Sequence, residues 1–112
     1  MAILVQNTLP SAVRTITGSV DLGAIPAEFT EAVFYIDVTA FSGTAPTLVV
    51  AYQSSPNETM YFDHTAGASL MAVGRQVIRI TNTIGRYGRL TFTLGGTGPS
   101  FTFSVTSEFK RP

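Results

Sequence analysis

Apolar and polar residues alternate with a period of two along most of this chain, and helical spacing is nearly absent. Between Thr15 and Leu22 the apolar positions are Ile16, Val20 and Leu22, with Thr15, Thr17, Ser19 and Asp21 opposite. Phe34, Ile36, Val38 and Ala40 share a face against Tyr35, Asp37 and Thr39, and Leu48, Val50 and Tyr52 alternate with Val49 and Ala51. Ile78 and Ile80 oppose Arg79 and Thr81, and Leu90, Phe92 and Leu94 oppose Arg89, Thr91 and Thr93. The last run sets Phe101, Phe103, Val105 and Phe109 against Thr102, Ser104, Thr106 and Glu108. A strand sends successive side chains to opposite faces, so each run has one core face and one face for water or a partner.

Turn-forming residues punctuate the runs: Ser42-Gly43-Thr44-Ala45-Pro46, Ser54 to Thr59, His64 to Ala68, Asn82 to Gly85, and Gly95-Gly96-Thr97-Gly98-Pro99. Short runs at Tyr61-Phe62 and at 70–73 add two more candidate strands, and 25–32 reads as a loop or one helical turn. The expectation is an all-β fold: a single antiparallel β-sandwich or jelly roll of about seven or eight strands. Gly43-Thr44-Ala45-Pro46 and Gly96-Thr97-Gly98-Pro99 form a weak internal repeat, read as the turns of two similar hairpins, with Gly at a positive φ and Pro fixing entry to the next strand. Residues 1–11 show no clean alternation and end at Leu9-Pro10, so they read as an N-terminal arm ahead of a sandwich domain spanning 12–112.

At 112 residues the chain suits one domain. Only 12% of residues are charged, well under the usual ~25%, so the outward faces are mostly Thr and Ser. Formal net charge is zero, which removes long-range attraction to nucleic acid, but the charges are segregated. Residues 1–63 hold Arg14 against six acids, −5, and residues 64–112 hold six bases against Glu108, +5. The two halves could pair within one domain or meet head to tail between subunits. With no cysteine, disulfides and thiolate metal sites are excluded. Ala2 to Val5 is too short an apolar run for a signal peptide, and no stretch reaches the length of a membrane helix.

Catalytic chemistry finds little to work with. His64, the only histidine, sits in a turn-rich segment beside Asp63, and no serine lies in a nucleophile motif. The carboxylates are scattered, with Glu28 and Glu31 the nearest pair in that loop, and the Gly-rich 95–99 segment joins strand to strand rather than strand to helix. Asn57-Glu58-Thr59 fits the glycosylation pattern, which has no meaning without export. The expectation is a protein that is not an enzyme and uses no cofactor or metal. Arginine outnumbers lysine six to one, as suits planar interface contacts.

The run from Phe34 to Val50, with its Val38-Thr39-Ala40-Phe41-Ser42-Gly43-Thr44-Ala45-Pro46-Thr47-Leu48 core, resembles a family of small bacteriophage virion proteins. So do Gln53-Ser54-Ser55-Pro56, Gly85-Arg86-Tyr87, Leu90 to Thr97, and Pro99 to Val105, and the resemblance covers roughly 33–107. Asn57-Glu58-Thr59-Met60-Tyr61 stands where the family has a Gly-rich turn and Trp. The resemblance implies a jelly-roll-like capsid decoration (cement) or minor virion protein, made in the host cytoplasm and carried on the capsid surface. The implied partners are the major capsid protein and sister subunits in a homo-oligomer, a trimer being one arrangement, with no nucleic acid or membrane. Candidate contacts are Ile3, Leu4, Val5 and Leu9 of the arm, Gly43, Thr44, Pro46, Thr97 and Pro99 of the two loops, and Arg79, Arg86, Tyr87 and Arg89, with Arg79 and Arg89 expected on one outward face. The rival readings are a carbohydrate-binding or host-adhesion sandwich presenting Tyr35, Tyr61 and Tyr87, and a tail or head–tail connector component.

Overall fold

A computed structural model describes residues 3–25, 29–81 and 84–110, the side chains of residues 3 and 4 excepted. Six strands form one antiparallel sheet: β1 (Ile3–Arg14), β2 (Gly18–Ala24), β3 (Glu31–Ser55), β4 (Phe62–Ala66), β5 (Gly74–Ile80) and β6 (Tyr87–Lys110). β3 and β6 run antiparallel along their whole length, from Glu31 opposite Lys110 to Ser55 opposite Tyr87. β1 and β2 pair with β6 on one side, and β5 and β4 pair with β3 on the other.

The long β3·β6 ribbon folds back on itself. Twenty-five residues of extended chain would span about 80 Å, whereas the longest dimension of the molecule is 43 Å. Phe34 and Tyr52, far apart on the same strand, stack with ring centroids 5.4 Å apart, and Phe92 and Phe103 on β6 meet edge to face at 5.6 Å. One layer is therefore β1-β6-β3-β5, built on residues 31–42 and 100–110. The other is β2-β6-β3-β4, built on 47–55 and 87–95. Counting the bent strands as two arms each gives eight, in a jelly-roll-like sandwich.

The repeated Gly-Thr-x-Pro segments are not hairpin turns. They are the two corners at which β3 and β6 bend together, with Thr44 opposite Thr97 and Thr47 opposite Gly95. Gly43 and Gly96 have φ of 116° and 100°, and Ala45 also has a positive φ, of 48°. A Cβ on Gly96 would lie 2.5 Å from the Ala45 carbonyl oxygen, and one on Gly43 would lie 2.7 Å from that of Gly98. Glycine is required because each corner's backbone presses on the other.

Phe34, Ile36, Val38, Leu48, Val50, Tyr52, Ile78, Ile80, Leu90, Phe101, Phe103, Val105 and Phe109 all point into the core, as the alternation predicts. Two predicted inward residues do not. Ile16 is 76% exposed because it lies in the 15–17 link between layers, and Ala40 is exposed because a bulge between Val38 and Ala40 shifts the phase. Of the 70–73 run, only Leu70 bridges the sheet, to Leu48.

The described part of the segment read as an arm lies along the sheet. From Ile3 onward it is β1, which pairs with β6 through two bulges and extends to Arg14. Arg14 straps it down, donating to the carbonyls of Phe103 (2.7 Å), Pro10 (2.9 Å) and Ala12 (3.2 Å) with its guanidinium 4.6 Å from the Phe103 ring centre.

Candidate functional site

Folding the ribbon over creates two outer faces of different chemistry. On the β1-β6-β3-β5 layer, cross-strand register sets Val5 beside Glu108, Val13 beside Thr102, and Tyr35 between Thr106 and Val77. Val5, Val13, Tyr35 and Val77 are 58%, 63%, 41% and 38% exposed. Val33, between Glu108 and Arg79, is covered. Asp37 and Arg75 form an exposed ion pair at 3.5 Å on this face.

The β2-β6-β3-β4 layer carries a groove of about 730 Å³ lined by Thr17, Ser19, Ala51, Gln53, Asp63, Thr65, Arg89, Thr91 and Thr93, among others. Its floor is small because Ser19, Thr91 and Ala51 are consecutive cross-strand neighbours. Along the next row, Asp21, Arg89, Gln53 and Asp63 are neighbours in turn. Arg89 donates through Nε (3.0 Å) and Nη2 (2.6 Å) to Gln53 Oε1, and Gln53 Nε2 donates to Asp63 Oδ1 at 2.8 Å. The Arg89 guanidinium also lies 4.0 Å from the centre of the Tyr61 ring. Partial loss of water, with Asp21 and Glu58 nearby, pushes the Tyr61 hydroxyl pKa up. His64 contacts the Thr65 hydroxyl at 2.8 Å and meets Tyr52 edge on at 5.5 Å. Tyr52 is buried and donates to the Ile84 carbonyl; burial raises its pKa.

The acidic and basic halves meet within the domain: Asp37 pairs with Arg75, Asp21 faces Arg89, and Glu31 faces Lys110, which also bonds Glu108 at 3.6 Å. Arg79 and Arg89 do not share a face. Arg79 is on β5 of one layer and Arg89 on β6 of the other, so they point out of opposite sides. Leu9 and Pro46 are buried in the chain's own interior. Val5, Gly43, Thr44 and Thr97 are exposed, and Pro99 is half-buried. Arg86 is exposed over the Tyr87 ring, and the hydrogen bond it donates to Tyr87 raises its pKa. The side chains of Ile3 and Leu4 lie outside the described residues, as do Glu28, Asn82 and Thr83. Gln53, Asp63, Ser19 and Thr91 were not singled out by the sequence. The outward phase of Ser19 and Thr91 is visible in it, but which strands adjoin is not.

No family model and no curated protein matches the sequence. Among solved structures, the chain is similar to a protein in the structure of infectious bursal disease virus, Gx strain, with a TM-score of 0.63 and 11% identity over 96% of this chain. It spans only 31% of that viral chain. It is also similar to a protein of Bacillus endospore appendages, described as forming a novel family of disulfide-linked pili, with a TM-score of 0.59 and 10% identity over 97% of this chain and 88% of that one. The absence of cysteine leaves no counterpart here to that disulfide linkage. At such identities the likeness is one of fold, and what the chain shares with a virus protein and a pilus protein is the jelly-roll-like all-β architecture.

Proposed function

We propose that this chain is a non-enzymatic structural protein that decorates a bacteriophage capsid, binding the major capsid protein from outside and stabilising the head by bridging capsomers. The observation that carries this reading is the β1-β6-β3-β5 outer face. Val5, Val13, Tyr35 and Val77 are exposed there on one side of a stiff sheet, while the groove of the opposite face is lined mainly with hydroxyl, amide and charged groups. Burying each apolar side chain against a partner is worth about 1–2 kcal/mol. Repetition over a lattice turns such modest contacts into stable attachment. The sequence resemblance and the jelly-roll-like fold support the same reading, with sister subunits in a homo-oligomer at capsomer junctions and no nucleic acid or membrane involved.

The test is sedimentation of purified protein with capsids of the parent phage prepared without it. Val77→Asp places a charge in the apolar face and is expected to lower occupancy at least about tenfold, while Thr91→Asp, on the opposite face, leaves it unchanged. Equal occupancy for both variants and the unaltered chain removes this face from the account. Particle density with a few copies at one vertex, rather than copies across the shell, favours a connector instead.

A further inference from the structure

We infer that the groove on the β2-β6-β3-β4 face is a binding site for an uncharged saccharide, a function separate from the capsid-facing role of the other layer. The groove's ~730 Å³ falls within the usual ~300–1,000 Å³ of small-molecule sites, enough for a short oligosaccharide. Its floor is small and hydroxyl-bearing, so a flat, polar ring can lie on it without displacing any large side chain. Ser19, Thr91 and Thr93 line it with hydroxyls that can each donate or accept.

The polar end is already ordered. Arg89, Gln53 and Asp63 hold one another in a chain of hydrogen bonds, so little freedom remains to be lost on binding. Among the described residues, that chain uses two of the five Arg89 N–H groups, one of the two Gln53 amide hydrogens and one Asp63 oxygen. Donors and an acceptor thus remain side by side along one row, the pattern that adjacent sugar hydroxyls match. Arg89 is flanked in register by Asp21 and, beyond Gln53, by Asp63. Within the lining itself one guanidinium, Arg89, offsets one carboxylate, Asp63, and Asp21 beside it adds a negative charge that disfavours an acidic sugar. The Tyr61 ring, 4.0 Å from the Arg89 guanidinium, further holds that side chain in place.

A glycan array of neutral and acidic sugars, followed by amide-resonance titration with the strongest neutral hit, tests this. Saturable shifts are expected at Ser19, Ala51, Gln53, Asp63 and Thr91. Thr91→Tyr, which fills the floor, should abolish them, and Asp63→Asn, at an exposed position, should weaken binding by about tenfold. Both variants must retain the wild-type thermal midpoint. No bound glycan, a preference confined to sialylated or sulfated glycans, or binding that survives Thr91→Tyr overturns the inference. None of these results bears on capsid occupancy, so the two readings fail separately.

Discussion

Replacing Gly96 by alanine probes the corner at which the sheet folds over. Two costs add. The backbone φ of 100° is one that an L-residue resists, at about 1–2 kcal/mol. The new methyl would also stand 2.5 Å from the Ala45 carbonyl oxygen and 2.8 Å from that of Thr44. Those oxygens belong to backbone held in the facing corner, so relief needs a main-chain shift, about 1–3 kcal/mol more. Lower entropy in the unfolded chain returns about 0.4–1 kcal/mol. The net loss is about 3 kcal/mol, or roughly a 12 °C fall in Tm for a domain of this size. Gly98 is the control. It also has a positive φ, of 58°, but a Cβ there meets nothing within 4 Å. Gly98→Ala should cost about 1 kcal/mol or less. Gly43→Ala, whose Cβ would lie 2.7 Å from the Gly98 oxygen, should resemble Gly96→Ala. Urea unfolding and calorimetry read all three. Equal losses at Gly96 and Gly98 would refute the claim that close backbone approach, rather than φ alone, demands glycine at this corner.

Arg14→Ala should cost about 2–3 kcal/mol in urea unfolding, because three backbone carbonyls lose a charged donor and the Phe103 ring loses its cation; a change under about 0.5 kcal/mol would show that β1 is held without this strap. Asp37→Asn should change stability by no more than about 0.5 kcal/mol, since the ion pair with Arg75 is exposed at 84% and 44%. Tyr52 has its pKa raised by burial, so the neutral phenol's contribution is complete below the unfolded value of about 10 and is lost as pH rises through the folded value. Urea midpoints should therefore fall more steeply above pH 10 for the unaltered chain than for Tyr52→Phe, and parallel alkaline profiles would contradict this assignment.

The alternation of apolar residues determined most of what is local. Phe34, Ile36 and Val38, then Leu48, Val50 and Tyr52, then Phe101, Phe103 and Val105 could be placed on a core face because the strand period is fixed by backbone geometry. Glycine's need for positive φ was equally visible at Gly43 and Gly96. What those glycines accomplish was not. A Gly-Thr-x-Pro segment between two alternating runs fits a hairpin as well as a bend in a continuing strand, and the choice depends on β6 lying beside β3 for their full lengths. That same non-local pairing places Arg79 and Arg89 on opposite sides, seats Leu9 in the core, and assembles Asp21, Arg89, Gln53 and Asp63 into one row. Side-chain phase is written residue by residue, but the neighbour across the sheet is selected by the packing of the whole chain. The sequence alone therefore determined which residues face outward, and tertiary structure decided which of them meet.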